Sequence, residues 1–545
     1  MSLVKSVVPA DLGGISLTLD FIEETLKKYK FKPSYIRESM LLSEESMVRL
    51  IDNASEGDTV HISIKKSHGL AYITLSAPGT ELSVAATSLG INVGDMSRGD
   101  ESAIRGILLR AFEDKIRYAR KGRYNFVKIT VGSPEVVFAA RTMIALGTAL
   151  ITGLLLQLLC PEAAKTALDS YVLVPIEQIF VNILMLFTAP AIFFSVITSV
   201  AHYSSFSDPG RVSVKTFVCY VFTSILAVLI GSAVFNLFNP GTAGELAGII
   251  SQSPQGDAAV NSGFIDTLVS IVPSNIIEPF LEVNTIQLLF MALVCGIALG
   301  RIGDYSSTLR NMAEALNALF TKVVSLLMNF IPVATFASTV SMMLNVGNGV
   351  LLSVVEMVGV LAVGVAAMFL IYSLLVLIVA HVNPIVFIRK YAAAMKGSLF
   401  GSELSALNKT MRCCKKSFGI SPKVYTFSIP FGSSFNMDGN CVYLTVAGLF
   451  IARLCGLELF DSDIVSLVFT VFILSIGSPI TPGSAILCLT VLLSQLGISI
   501  TAVSILFGVN TVIEMFLKAS NSYGDVAVSL AIAQTEDLVD TSVYS

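Results

Sequence analysis

The feature that most constrains this chain is a set of apolar runs too long for an ordinary soluble core: Ala145 to Cys160, Thr216 to Leu237, Ile286 to Gly300 and Met357 to Ala380. They approach or exceed the ~20 residues that an α-helix needs to cross a hydrocarbon core. Of the 545 residues, 54% are hydrophobic and only 14% charged, so the bilayer is the main solvent for most of the chain. Eight spanning candidates lie near 136–159, 172–201, 212–238, 284–300, 309–343, 350–381, 424–453 and 500–533. Two further apolar segments, Pro384 to Thr410 and Leu467 to Leu496, carry Gly, Ser and Pro at mid-length. Non-helical backbone at membrane depth is tolerated only inside protein or beside a water-filled cavity. A pair of interrupted segments is the sequence mark of a transport site between inverted repeats.

Charge distribution sets an expected topology, because cytoplasmic loops carry the excess of Lys and Arg. Arg117, Arg120, Lys121, Arg123 and Lys128 precede the first run, and Arg211 and Lys215 lie between the second and third. Between Lys215 and Arg301 there is no Lys or Arg, while Glu245, Asp257, Asp266, Glu278 and Glu282 mark an external loop. Arg412, Lys415, Lys416 and Lys423 mark another cytoplasmic connection. No basic segment followed by a short apolar region opens the chain, so no signal peptide is expected and the N-terminus should be cytoplasmic. The eight cysteines, with Cys413 and Cys414 adjacent and no C-x-x-C spacing, read as packing residues.

Composition changes sharply near residue 132, which divides a domain at 1–132 from a membrane domain at 133–545. Leu17 to Tyr29 and Leu42 to Asn53 have helical periodicity. Val60, Ile62 and Ile64 alternate with polar residues, Leu70 to Leu75 reads as a returning strand, Ile104 to Arg120 as a helix, and Asn125 to Val131 as a last strand. The expectation is a small α+β domain. Leu50-Ile51-Asp52-Asn53-Ala54 followed by a hairpin and Ser76-Ala77-Pro78-Gly79 resembles, in degenerate form, the ATP-binding fold of histidine kinases. Arg49 replaces that box's other polar or acidic residue, and no Asp stands in the adenine-binding Gly box, so a regulatory role is expected.

Polar residues inside the apolar segments carry the functional reading. Asn436-Met437-Asp438-Gly439-Asn440 follows Gly432, Ser433 and Ser434 within a spanning segment, where Gly and Asn would unwind the helix and free carbonyls for a cation. A carboxylate at this depth costs at least ~3 kcal/mol on insertion scales, which favours a bound cation or a partner. Glu514, Lys518, Asn521 and Asp525 fall at i, i+4, i+7 and i+11, on one helical stripe. Glu514 and Lys518 would also suit a simple i,i+4 ion pair.

From about residue 135 to 535 the chain resembles the dicarboxylate/amino acid:cation symporters, the sodium-coupled glutamate transporter homologues. Asn436-Met437-Asp438-Gly439 matches their Asn-Met-Asp-Gly-Thr motif. Ser475-Ile476-Gly477-Ser478-Pro479-Ile480-Thr481-Pro482-Gly483 resembles their second hairpin tip, and Asn521-Ser522-Tyr523-Gly524-Asp525 their Asn-x-x-Gly-Asp. Lys215 to Gly231, followed by Asn239-Pro240-Gly241, resembles their third helix. The resemblance implies an all-α polytopic membrane protein of about eight transmembrane helices and two re-entrant hairpins in inverted repeats. It implies an elevator-type secondary transporter in the cell membrane, a homotrimer with both termini cytoplasmic. It also implies three sodium sites and no other cofactor. One uses carbonyls of Gly432, Asn436 and Asn521 with the Asp525 carboxylate. A second uses Tyr220, Thr223, Ser224, Asn436 and Asp438, and a third backbone oxygens of Ser434, Ser475, Ile476 and Ser478. Oxygen-only sets suit a hard cation, and the retained carboxylates favour sodium over protons.

The substrate pocket departs from the family pattern. Leu517 stands where the family has the Arg that grips an acidic side chain, and an acidic group without that bidentate partner would be poorly held. Glu514 matches the aspartate for an α-amino group and Asn521 the Asn for an α-carboxylate. Lys518 replaces a Thr, Asn440 replaces the motif Thr, and the Ser-rich tip of the first hairpin is reduced to Gly401-Ser402-Glu403. Two readings stay open: Lys518 binds a carboxylate, or Glu514 binds an amine with Leu517 against an apolar side chain. The substrate is an amino acid or small carboxylate; the alternatives are a proton-coupled symporter of the same fold and a non-transporting sensor or channel. No nucleophile, base and oxyanion set can be assembled around His202, His381 or other residues, so no enzyme is expected. No nucleic-acid partner is expected either.

Overall fold

A computed structural model describes residues 3–55, 57–67, 69–80, 115–132, 134–204, 211–245, 269, 271–281, 284–300, 302–345, 349–395, 403–457, 461–476, 478 and 483–543. The chain divides into two compact units, Met1–Phe138 and most of the remainder.

Among the described residues, the first unit is a five-stranded sheet with two helices. Its elements are β1 (Leu3–Pro9), α1 (Leu12–Lys28), α2 (Pro33–Asp52), β2 (Thr59–Ser67), β3 (Leu70–Pro78), β4 (Ile116–Lys121) and β5 (Tyr124–Val131). The sheet order is β1-β2-β3-β5-β4, and every neighbouring pair is antiparallel. Period-two alternation explains which face is covered. Ile64, Ile73 and Ile129 form one cross-strand row and Ile62, Leu75 and Val127 the next. They are buried in one core with Ile22 and Leu26 of α1 and Met47 and Leu50 of α2. Asp11 caps α1, accepting from the Gly14 amide at 2.8 Å. Asn53 ends α2 with both ends of its amide engaged: Nδ2 donates to the Arg49 carbonyl at 2.9 Å, and Oδ1 accepts from the Thr80 hydroxyl at 2.9 Å.

Sequence periodicity predicts a helix at Ile104 to Arg120, and the structure corrects its C-terminal part. Residues 116–121 are strand β4, paired with β5 across a two-residue turn at Gly122, φ 62°. A glycine at positive φ in a two-residue loop matches the twist of a hairpin. The Ile116 and Tyr118 side chains then reach the shared core at period two. Residues 104–114 lie outside the described residues. Strand β1 was not apparent from the sequence, because its Val-Val-Pro end sits on an edge with most side chains exposed.

The second unit is helical. Among the described residues, five stretches are long and apolar enough to cross a membrane: Val137–Leu159, Glu162–Thr198, Arg211–Phe238, Ser306–Asn345 and Leu352–Ile378. They belong to α3 (Pro134–Leu159), α4 (Val174–Ser204, entered through a short helix and a π-helical turn at Asp169–Leu173), α5 (Arg211–Phe238), α7 (Ser306–Leu327) with α8 (Ile331–Asn345), and α9 (Gly349–Ile378). Between α5 and α7 lies α6 (Thr285–Leu299), a shorter apolar helix. The interrupted segments become helix pairs: α10 (Pro384–Met395) with α11 (Glu403–Phe418), and α14 (Asp461–Ile476) with α15 (Ser484–Gln495). Each of these four helices, at roughly 18–24 Å long, is shorter than a ~30 Å hydrocarbon core.

The predicted span 424–453 is two helices, α12 (Pro422–Phe435) and α13 (Asp438–Leu454). The span 500–533 is a 3-10 segment, Ile500–Leu506, followed by α16 (Asn510–Thr535). Helix α4 packs with α6, α7 and α8, while α13 packs with α5, α9, α14, α15 and α16. All of α13 except Arg453 is buried, the expected environment of a helix that is apolar around its whole circumference.

Ile73, fully buried on the central strand β3, supports a prediction. Ile73→Ala should lower the stability of the sheet by about 3 kcal/mol, read as faster amide exchange across β2, β3 and β5 in the full-length protein. Unchanged exchange would show that this residue does not carry the core.

Candidate functional site

The site begins at an interruption. Pro430, inside α12, has no N–H for the helical ladder, and the helix stops at Phe435. Asn436 (φ −102°, ψ 60°) and Met437 (φ −93°, ψ 54°) leave helical geometry before α13 restarts at Asp438. Carbonyls at the end of α12 thereby lose their intrahelical donors. Asn436 and Asp438 are fully buried and Asp525, on α16, nearly so.

Side chains from four helices converge here. Ser224 Oγ on α5 donates to Asp438 Oδ1 at 2.6 Å, and the Tyr372 hydroxyl on α9 donates to Asp438 Oδ2. The Thr223 hydroxyl lies 3.1 Å from both the Tyr220 carbonyl and Asn436 Oδ1. Asn436 Nδ2 donates to Asp525 Oδ1 at 3.0 Å, which joins the interruption to α16. The Tyr220 hydroxyl donates to the Ser428 carbonyl at 3.0 Å, and its ring stacks on Phe431. Gly432 is required for this approach: a Cβ there would stand 2.3 Å from Asp525 Oδ1 and 2.6 Å from the Tyr220 hydroxyl.

Tyr220, Thr223, Ser224, Gly432, Asn436, Asp438 and Asp525 thus form one contiguous polar centre. Tyr372 belongs to it and was missed from the sequence. Its only signal there was a phenol within the apolar run Met357 to Ala380. Gly524 lies against it, where a Cβ would be 2.5 Å from the Tyr372 hydroxyl.

A second group faces the α14–α15 pair. Asn440 Nδ2 donates to Ser478 Oγ at 3.3 Å, and the Ser478 amide bonds to the Ser475 carbonyl at 3.3 Å. Ser475 is buried and Ile476 ends α14. Asn521 Oδ1 accepts from the Gly439 amide at 2.8 Å, which leaves its Nδ2 as a donor. Leu517 is buried, its backbone against Gly439. Glu514 accepts from the Gly483 amide at the start of α15 and from Asn510 Nδ2 at 3.1 Å. The i,i+4 pair between Glu514 and Lys518 is not formed, and Lys518 has no ion-pair partner among the described residues. Ser402 lies outside the described residues, as do the side chains of Glu403 and Ser434.

Chemically, the first group is a cage of oxygens around a buried carboxylate whose donors, Ser224 and Tyr372, are neutral. The second is an amide, a hydroxyl and a half-buried ammonium beside the paired short helices.

Comparison with known proteins identifies the family. The model of the "Sodium:dicarboxylate symporter family" matches residues 138–535. The C4-dicarboxylate transport protein of Bacillus subtilis (strain 168) is 25% identical over 404 residues, covering 72% of this chain and 93% of that protein. That of Rhizobium johnstonii is 27% identical over 409 residues, covering 72% and 88%. The proton/sodium-glutamate symport protein of Bacillus subtilis is 24% identical over 410 residues, covering 73% and 94%. With its membrane-length helices and its match from 138 to 535, this multi-pass membrane chain belongs to the sodium:dicarboxylate symporter family, a family of transporters and not of enzymes.

Proposed function

We propose that the protein is a sodium-coupled symporter of small dicarboxylates working by an elevator motion. The observation that carries this reading is the buried oxygen cage at Asp438. A carboxylate removed from water and hydrogen-bonded only by neutral groups is costly unless a cation joins it. Tyr220, Thr223, Ser224, Asn436 and Asp438 would hold one sodium ion. Asp525, with carbonyls of Gly432, Asn436 and Asn521, would hold a second, and backbone oxygens of Ser434, Ser475, Ile476 and Ser478 a third. Hard oxygen donors suit such an ion.

The pairs α10–α11 and α14–α15 serve as re-entrant hairpins around the substrate. Helices too short to span, separated by Gly, Ser and Pro, support this reading. Glu514 is engaged by the α15 amide and by Asn510, which argues against its use for a substrate amine. Lys518 remains as the cation for one carboxylate, and Asn521 Nδ2 as a donor to the same ligand. The relatives named C4-dicarboxylate transport proteins support the same substrate class. Sodium and substrate stabilise one closed state of the hairpin, so each raises the affinity of the other. The reading includes a homotrimer with both termini cytoplasmic and a first unit that regulates rather than transports.

Three outcomes test it. Asp525→Asn should weaken sodium binding roughly thirty-fold or more while the protein stays folded, because Asn retains the oxygen that accepts from Asn436. A sodium titration followed by thermal shift measures this, and binding that responds to pH with no sodium dependence would replace sodium by protons. Lys518→Met should weaken succinate-like dicarboxylates by a similar factor, with partial recovery in Lys518→Arg. Equal affinity in all three would remove Lys518 from the site. Deleting residues 1–130 should leave sodium-driven uptake in proteoliposomes intact, whereas a folded core without uptake would contradict a regulatory role.

A further inference from the structure

One face of the first unit's sheet carries none of the candidate site residues. Helices α1 and α2 cover one face of the sheet, and strand register assigns the side chains of the other. Lys5, Lys65, Arg117, Lys121 and Lys128 lie on that open face, and no Asp or Glu joins them there among the described residues. One cross-strand row runs Lys5, Ser63, Thr74, Lys128 and Arg117 across all five strands. The Lys128 ammonium sits 4.4 Å from the centre of the Tyr72 ring. Apolar side chains share the face: Leu3 is 54% exposed, Val7 56% and Tyr124 42%. A face of one sign interleaved with exposed apolar and aromatic groups is matched to an anionic, amphipathic partner rather than to water.

We propose that this face docks on the anionic lipid headgroups of the leaflet from which the first membrane helix departs. Chain connectivity selects this partner. Strand β5 ends at Val131 and the first membrane-length stretch begins at Val137, so a tether of five residues, at most ~3.5 Å each, joins the sheet to the membrane span. A tether that short gives the headgroups a high effective concentration which a diffusing polyanion lacks. Each Lys or Arg near an anionic surface strengthens binding roughly five-fold, and the contributions act together on a rigid sheet. The row at the Val131 end, Leu3, Lys65, Tyr72 and Thr130, combines an exposed aliphatic, a cation and a tyrosine, the residue types that settle at a headgroup interface.

The test is lysine acetylation footprinting of the full-length protein in nanodiscs of phosphatidylcholine alone or of phosphatidylcholine mixed with phosphatidylglycerol. Lys5, Lys65 and Lys128 should react about five-fold more slowly or less in the anionic discs, and high salt should abolish the difference. Lys28, exposed on α1, should react equally in both. Equal rates at the sheet lysines in the two discs would overturn the proposal. Protection conferred by single-stranded RNA but not by phosphatidylglycerol would also overturn it, in favour of a nucleic-acid platform.

Discussion

The membrane unit depends on how a carboxylate is kept in a place that excludes water. Asp438 begins α13, in which every residue but Arg453 is buried, and neither of its donors, Ser224 and Tyr372, is a Lys or Arg. Much of the local architecture follows from that. The helix breaks at Asn436–Met437, which aims carbonyl oxygens inward. Helix α5 contributes hydroxyls every few residues along one face, and Gly432 is bare so that Asp525 and Tyr220 can approach. Removing any one of these would leave polar groups buried without partners, the most expensive condition in a low-dielectric interior.

Asp169 provides the contrast. It too is nearly buried among apolar helices, yet Ser341 bonds one oxygen at 2.5 Å and Asn345 the other at 2.8 Å. Ser341 and Asn345 stand one turn apart on α8, so a single helix supplies both contacts. Such a carboxylate joins elements. Asp438 differs because its surroundings contain more oxygens than its own hydrogen bonding needs, and because Asn436 links it to a second carboxylate on another helix. Depth in the membrane alone does not distinguish the two; the surplus of oxygen donors does.

Much of this was legible in the sequence because each signal had a local physical cause. Apolar run length predicted membrane-length helices, and Gly, Ser and Pro at mid-segment predicted where α10 and α14 stop. Period-two alternation at Val60, Ile62 and Ile64 predicted strand β2. The legible part ended where long-range packing decides. Ile104 to Arg120 has helical spacing, yet Ile116 and Tyr118 serve a hairpin whose partner strand lies across Gly122. Tyr372 gave only the signal of a phenol in an apolar run, which is ordinary until Asp438 is known to accept its hydroxyl. Glu514 and Lys518 have the spacing of a helical ion pair, but the Gly483 amide, 31 residues away, takes the carboxylate instead.

That last exchange bears on the proposed coupling. Gly483 has φ 85° and opens α15, so its N–H belongs to the positive end of a helix dipole, where a carboxylate is favoured. Glu514 on α16 is therefore bound to the tip end of one short helix, while Asn440 on α13 is bound to Ser478 on the other side of the same tip. The α14–α15 pair is thereby anchored on both flanks by residues of the two helices, α13 and α16, that also carry Asp438 and Asp525. In the proposed reading, an ion drawn to the carbonyls around Asn436 acts on α13 and α16 together, since the Gly439 amide is bonded to Asn521. Both anchors of the tip then respond to the same event. In the proposed mechanism, coupling between ion and substrate requires no distant relay: the oxygens around Asp438, the donors Lys518 and Asn521, and the facing ends of α14 and α15 are joined through α13 and α16.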